Sequence, residues 1–263
     1  MLRALAAANG GVLMAGLTRV DRRDREGGLV WSWRPGGEVV ADVCVFQDGA
    51  AVPAPGGRAV VRGPDGSALG LGSPDAPHPT SANDYETAVR LAGELDSSNI
   101  ACIGDVAYVQ AGNTISGHTL DGRTFTVSIP GEFQEAARRR REPAPSGDRG
   151  YAAWYADLAH DGGGRLVLTM PHWRLDDIEA VGSVIDPRSG CYSLVVEPGG
   201  AGGVKMSRQF MGVYRDSAVV YYRGQSARTV RGREVTVIDP EAFMIALRPL
   251  RRAGGTPCEG GGH

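Results

Sequence analysis

The chain has 263 residues, of which 42% are hydrophobic, so it can form a substantial core and is not disordered along its whole length. Its formal net charge of −2 excludes a protein that binds nucleic acid or an anionic membrane through overall charge. Glycine and proline are frequent, at 39 and 16 residues, and follow no strict period, which indicates many tight turns rather than a collagen-like repeat. No apolar run is long enough for a transmembrane helix.

The N-terminal residues and the cysteines bear on the cellular compartment. The first apolar run is interrupted at Asn9-Gly10-Gly11, so we interpret it as a strand and turn rather than an export signal. The four cysteines, Cys44, Cys102, Cys191 and Cys258, are widely separated and lack the C-x-x-C spacing of a zinc site. Dispersed cysteines in strand-like segments are usually small buried hydrophobic residues. We therefore predict reduced thiols, no metal site, and a cytoplasmic or otherwise intracellular protein.

Short strand-like segments separated by two-residue turns recur along the chain, which is the pattern of successive β-hairpins. Counted from residues 9, 48, 105, 161 and 216, the clearest turns are 39, 57, 56 and 55 residues apart, which indicates a structural repeat. These turns are Asn9-Gly10, Asp48-Gly49, Gly104-Asp105, Asp161-Gly162 and Arg215-Asp216.

Two of the repeats are regular enough to divide into strands. Around the second turn we predict strands over residues 41–46, 50–52, 58–62 and 67–71. Around the third turn we predict strands over residues 100–103, 106–110, 114–119 and 123–129. A unit of four antiparallel strands is the blade of a β-propeller, so the repeat favours that all-β architecture.

Particular segments also resemble a known family of repeats. Residues 27–33, with the following strand up to Phe46 and the Asp48-Gly49 turn, resemble the G-x-x-x-W turn and next inner strand of PQQ-like and WD40-type repeats. Residues 184–190 and 237–240 resemble the strand and Asp-containing turn that end such blades. The repeat and the resemblance together predict a β-propeller of about five four-stranded blades, into which a short helical segment is inserted. A β-sandwich is the alternative.

The same resemblance suggests a quinone cofactor, which other features of the sequence argue against. Quinoprotein dehydrogenases are much longer chains and carry adjacent cysteines, whereas no two cysteines are adjacent here. We therefore expect no PQQ and no other cofactor.

We expect one propeller-like domain over residues 1–250, with two insertions and a tail. The insertion over residues 73–98 contains a predicted helix, 81–96, whose apolar residues form one stripe. The insertion over residues 131–150 begins as a short charged helix and continues as a proline-rich loop. Residues 251–263 lack a hydrophobic pattern and should form a flexible tail. Because the first repeat is short, we expect residues 234–239 or 242–247 to supply its outer strand.

For function, the sequence favours a non-catalytic binding or assembly module that presents propeller loops to a protein partner. It contains no nucleophile motif and no phosphate-binding loop. The candidate partner-binding residues are Trp173 and the basic run Arg138, Arg139, Arg140 and Arg141. Only Phe133 is an aromatic residue near this run, so we interpret it as a protein-docking arm and expect no nucleic-acid partner. A small-molecule ligand stays an alternative, and no membrane partner is expected.

An enzyme is the alternative from a different class, namely a hydrolase or lyase acting on a small molecule or carbohydrate. His172 with Asp176 or Asp177, aided by His118, would supply a base near neutral pH and a carboxylate to orient it. The spacing of these residues matches no known metal site. His160-Asp161 precedes three glycines, which favours a turn over a catalytic role. Catalysis would require these side chains to converge in one pocket.

Overall fold

The protein is an all-β protein, as predicted. The computed structural model describes residues 3–6, 10–16, 19–35, 40, 42–54, 57–69, 98–135, 157–169, 179–197, 206–214, 217–230, 232–249 and 252–253. These residues form strands, the turns between them, and a short helix, α1, over residues 131–135. The chain divides into two compact units, Met1–Ile129 and Pro130–His263. The predicted helix over residues 81–96 lies outside the described residues.

Three four-stranded antiparallel sheets make up the first unit, each with its strands in chain order. The first sheet contains β1 (Arg3–Ala6), β2 (Val12–Ala15), β3 (Val20–Arg23) and β4 (Leu29–Trp33). The second sheet contains β5 (Cys44–Phe46), β6 (Gly49–Ala54), β7 (Arg58–Arg62) and β8 (Ala68–Leu69). The third sheet contains β9 (Ser98–Ile103), β10 (Val106–Ala111), β11 (Thr114–Thr119) and β12 (Thr124–Ser128). Each sheet has the four-stranded meander of a propeller blade.

The second unit contains two more antiparallel sheets. The fourth sheet contains β13 (Asp157–His160), β14 (Leu166–Thr169), β15 (Glu179–Ile185), β16 (Tyr192–Glu197) and, at its edge, β20 (Arg252–Ala253). The fifth sheet contains β17 (Met206–Tyr214), β18 (Ser217–Val230) and β19 (Arg233–Pro249). Arg252 and Ala253 pair with Val195 and Leu194, so paired structure extends past the boundary predicted for the tail at residue 251.

Three of the five turns predicted from sequence lie in the described part of the chain, each between the first and second strands of its sheet: those at Asp48, Gly104-Asp105 and Asp161-Gly162. Asn9 and Arg215-Asp216 lie outside the described residues. The turn predicted at Asp48-Gly49 lies one residue earlier, at Gln47-Asp48, since Gly49 begins β6. Gln47 and Asp48 have φ angles of 43° and 63°. Two successive residues with positive φ are what a two-residue hairpin turn requires. The predicted strands 58–62 and 114–119 match β7 and β11 residue for residue. The predicted repeat of hairpins is therefore confirmed.

A carboxylate also closes the turn between the third and fourth strands in each of the first four sheets. Its oxygen accepts a hydrogen bond from a backbone N–H two or four residues further on, which fixes the turn. The pairs of carboxylate and N–H are Asp24 with Gly28, Asp65 with Ser67, Asp121 with Arg123, and Asp186 with Arg188. The Asp-containing blade ending predicted over residues 184–190 is thus present.

The other predicted blade ending, residues 237–240, does not form a turn. These residues lie inside β19, where Gln225 pairs with Ile238 and Arg223 pairs with Phe243. Pairing with β18 therefore continues on both sides, and the residues between Ile238 and Phe243 form a bulge opposite Gly224.

The expected source of the first sheet's outer strand is also wrong. Residues 234–239 and 242–247 both belong to β19, which pairs with β18. The first sheet instead takes β4 from its own part of the chain, since Leu29–Trp33 pairs with β3.

The second sheet is buried on both faces, because successive side chains of a strand point to opposite sides. One face packs against the first sheet through Leu13, Val20, Trp31, Trp33, Val43, Ala50 and Val52. The other face packs against the third sheet through Cys44, Phe46, Ala51, Val61, Ile100, Cys102, Ala107 and Val109. Burial on both faces is what the stacking of propeller blades requires.

The prediction of reduced thiols is wrong. Cys44 on β5 and Cys102 on β9 form a disulfide with their Cα atoms 5.7 Å apart. Cys191 is also disulfide-bonded, and the described part of the chain contains no free cysteine. The two paired residues are separated by 58 positions, so only the adjacency of β5 and β9 in the fold shows that their thiols can meet.

Candidate functional site

Most of the site residues predicted from sequence lie outside the described residues. His172, Trp173, Asp176 and Asp177 fall within residues 170–178, and Arg138, Arg139, Arg140 and Arg141 fall within residues 136–150. Their roles in catalysis or partner binding therefore stay predictions. Only α1, at the start of the basic insertion, is described, with Phe133 fully buried.

His118 is the one predicted catalytic residue that the structure describes. It lies on β11, is 9% exposed, and has its Nε2 atom 2.7 Å from the carbonyl oxygen of Gly57. Its Nδ1 atom is 3.4 Å from the hydroxyl oxygen of Thr124. With hydrogen on Nε2, the ring donates to Gly57 and accepts from Thr124, so both nitrogens are engaged. The ring thereby links β11 to the connection between β6 and β7.

His160 and Asp161 form the turn that the sequence favours. The Oδ1 atom of Asp161 accepts hydrogen bonds from the backbone N–H groups of Gly163 and Arg165, at 2.8 and 3.1 Å. Its Oδ2 atom accepts from the Arg165 side chain at 2.5 Å. Burial by itself raises the pKa of Asp161, but these hydrogen bonds and the Arg165 charge outweigh it and hold the pKa below its usual value. A carboxylate bonded in this way stabilises its own turn.

A cluster that sequence reasoning missed lies between the first two sheets. We call it the arginine–tryptophan layer and define it as Arg22, Trp31, Trp33 and Arg62. Arg22 lies across from Leu13 and Trp31 in its sheet, is 8% exposed, and has a buried Nη1 atom without a hydrogen-bond partner. Arg62 places its guanidinium carbon 5.3 Å from the centre of the Trp33 ring, and its buried Nε atom also lacks a partner.

The ring of Trp31 anchors this layer to the second sheet. Its Nε1–H group donates a 2.9 Å hydrogen bond to the carbonyl oxygen of Pro64, which lies in the turn that follows Arg62. A Cβ atom added at Gly66 in the same turn would lie 3.2 Å from the Trp31 ring, so turn and ring are in close contact. The alternation Val20, Arg22 on β3 is the sequence signal that places Arg22 on the buried face.

A second feature is an exposed apolar surface on the fifth sheet. We call it the apolar face and define it as Tyr214, Val219, Ile245 and Leu247. The pairings Tyr214 with Ser217 and Val219 with Leu247, together with strand alternation, place these four side chains on one side of the sheet. Tyr214, Ile245 and Leu247 are 54%, 65% and 58% exposed.

Neither a metal site nor a helix able to span a membrane is found in the part of the chain that the structure describes. It holds no group of three or more His, Cys, Asp or Glu side chains placed to bind a metal ion. Its helical residues include no segment long and apolar enough to cross a membrane.

No protein-family model matches the chain, and no curated protein matches it in sequence. Among solved structures, virginiamycin B lyase from Staphylococcus aureus has 10% identity and a TM-score of 0.44, covering 91% of this chain and 70% of that one. BamB from Moraxella catarrhalis has 12% identity and a TM-score of 0.40, covering 97% of this chain and 87% of that one. The WD40 domain of Neurospora crassa Pan2 has 11% identity and a TM-score of 0.32, with 83% and 70% covered.

These similar structures are of the β-propeller type. At such scores the class of this protein rests on its own sheets in an all-β chain. Three of these sheets are four-stranded meanders, and the fourth is such a meander with β20 added at its edge. The number of blades and the closure of a ring stay predictions.

Proposed function

We propose that the protein is a non-catalytic binding or assembly module that docks a protein partner through the apolar face. The observation that carries this proposal is the exposure of Tyr214, Ile245 and Leu247 on one side of a single sheet. Large apolar side chains that are exposed next to one another are characteristic of interaction surfaces, because a partner that covers them removes apolar area from water.

The composition of the apolar face supports a protein rather than a small polar ligand as the occupant. None of its four side chains is charged, and the centre of a protein–protein interface is depleted of charge. Tyr214 adds a large ring with few rotatable bonds, the kind of side chain that contributes most to interface affinity. The face is built on paired strands, so little conformational entropy is lost when a partner binds.

The disulfides support a different compartment from the one expected from sequence. Stable disulfides form in oxidising environments and are rare in the cytosol. We therefore propose that the protein resides in an oxidising compartment. Alkylation of free thiols in the protein taken from its own cells, read by mass, tests this placement. Labelling of Cys44 and Cys102 without prior reduction would contradict it.

Site-specific photo-crosslinking in the producing cells tests the docking surface. A photoreactive amino acid at position 245 should give a discrete cross-linked product that contains a second protein. Position 244 is the matched control, because Met244 is the adjacent residue on the same strand, is 46% exposed, and points to the opposite side of the sheet. The position-245 product should disappear when Leu247→Lys is added.

Two outcomes of this cross-linking experiment would contradict docking through the apolar face. Equal products from positions 244 and 245, or no product from position 245 in folded protein, would show that the apolar face does not dock a protein.

A further inference from the structure

We propose that the arginine–tryptophan layer binds a small oxyanion, of the phosphate or carboxylate type, between Arg22 on β3 and Arg62 on β7. This site is independent of the docking surface, which belongs to the second unit.

The first argument is the uncompensated positive charge. Arg22 and Arg62 both extend into the contact between the first two sheets, and each has a buried nitrogen without a hydrogen-bond partner. The buried hydrophobic residues of the same contact include Leu13, Ala15, Val20, Val40, Val43, Ala50 and Val52. A buried charge without a counter-charge is strongly unfavourable. An anion in the layer removes this penalty, whereas a water molecule would satisfy the donors but leave the charge.

Asp21, the carboxylate nearest to Arg22 in the sequence, does not neutralise the charge of Arg22. Asp21 precedes Arg22 on β3, so its side chain points to the other side of the sheet. There it forms an ion pair with Arg19 at 2.9 Å and accepts a hydrogen bond from Ser32 at 2.7 Å. Asp21 is therefore already paired on the face away from the layer.

The second argument is geometric. Trp31 and Trp33 occupy alternate positions of β4, which places them on one face roughly 7 Å apart. Arg62 lies over Trp33, while Arg22 is the cross-strand neighbour of Trp31, whose ring is held against the turn after Arg62. The Arg62 guanidinium thus lies on the Trp33 ring, and Arg22 extends from the position beside Trp31, the next side chain along the same face of β4. Arg62 is only half-buried, so one side of the layer is open to solvent.

Binding of inorganic phosphate tests the proposal, and acetate tests the carboxylate form of the same chemistry. The thermal midpoint of the full chain is followed while each anion replaces chloride at constant ionic strength, and the affinity is confirmed by isothermal titration. The variants are Arg22→Met and Arg62→Met. Arg25→Met is the matched control, because Arg25 lies in the exposed turn between β3 and β4 and its loss removes the same charge.

The expected result is a saturable rise in the midpoint for the wild type and for Arg25→Met. In Arg22→Met and Arg62→Met the affinity should fall at least about tenfold, because each variant loses a charge-assisted hydrogen bond. Without the anion, Arg22→Met should be at least as stable as the wild type, because it removes a buried unpaired charge.

Two results would overturn the proposal. One is a wild-type midpoint that responds to neither phosphate nor acetate. The other is a response that Arg22→Met and Arg62→Met retain in full, which would place the anion elsewhere on the surface. If Arg22→Met does not fold, Arg62→Met decides the outcome alone, since Arg62 is at the open side of the layer.

Discussion

The disulfide between Cys44 and Cys102 joins the first strand of the second sheet to the first strand of the third. It closes a loop of 58 residues that includes most of the second sheet. Closing a loop of this length restricts the unfolded chain and stabilises the folded one by about 2–4 kcal/mol. We therefore expect the double variant Cys44→Ser, Cys102→Ser to lose about this much free energy of unfolding, measured by denaturant titration.

Reduction supplies the control for this prediction. A reducing agent should lower the denaturant midpoint of the wild type more than that of the double variant, because the variant retains only the disulfide of Cys191. Equal sensitivity of the two proteins to reduction would show that the Cys44–Cys102 disulfide does not contribute to stability.

Asp42 reinforces the junction between the second and third sheets, which the disulfide also joins. Its carboxylate is 2% exposed and accepts hydrogen bonds from the backbone N–H groups of Val43 at 2.7 Å and Ile100 at 2.9 Å. In Asp42→Asn an NH₂ group replaces one of these acceptors and leaves a buried N–H unpaired. We expect a loss of about 1–3 kcal/mol in the free energy of unfolding.

The neighbouring Asp48→Asn is the matched control, because it removes the same charge in the turn between β5 and β6. Asparagine tolerates the positive φ of 63° at this position, so the stability should change by less than about 0.5 kcal/mol. If chemical denaturation gives the same stability for Asp42→Asn and Asp48→Asn, the carboxylate of Asp42 does not support the junction.

The parts of the fold that sequence predicted are those encoded locally. A two-residue turn such as Gly104-Asp105 depends on the φ preferences of its own residues, and strand alternation depends on immediate neighbours. The hairpin repeat and the bounds of β7 and β11 could therefore be read before any tertiary contact was known. The Asp186 turn belongs to the same group, since its hydrogen bonds are made within the turn.

The parts that sequence missed depend on which strands become neighbours. Nothing near Cys44 or Cys102 indicates that β5 and β9 are adjacent. Ile245 and Leu247 are apolar residues of a strand, as in a core strand, yet both are exposed, because a strand is buried only where a second layer covers it. Arg22 is the converse case, a charged residue on the buried face of its strand. The catalytic roles proposed for His172, Asp176 and Asp177 stay predictions.

Gly49 is a position where the packing of two strands requires glycine. A Cβ atom added there would lie 1.9 Å from the carbonyl oxygen of Arg62 on the adjacent strand β7, so the backbone must move to accept it. We expect Gly49→Ala to lower the free energy of unfolding by about 1–3 kcal/mol. Gly131→Ala is the control, because a Cβ atom at Gly131 meets nothing within 4 Å. Equal thermal midpoints for the two variants would refute this explanation.

Asp161 makes stability depend on pH in a defined direction. Hydrogen bonds from Arg165 and Gly163 outweigh the effect of burial and hold its folded-state pKa below the usual value of about 3.9. A carboxylate with a lowered folded-state pKa contributes stability that is fully present above its unfolded pKa and is lost as the pH falls through its folded pKa. Asp161→Asn should therefore be less stable than the wild type near pH 7, and the difference should shrink below about pH 4.

The measurement for this prediction is the free energy of unfolding of both proteins, followed by denaturant titration from about pH 7 to pH 3. Arg165→Gln removes the guanidinium but leaves the backbone N–H groups of Gly163 and Arg165 as donors to Asp161. Arg165→Gln should therefore lose only part of the pH-dependent stability that Asp161→Asn loses entirely. A difference between wild type and Asp161→Asn that stays constant, or grows, as the pH falls would mean that the Asp161 carboxylate does not stabilise the turn in its charged form.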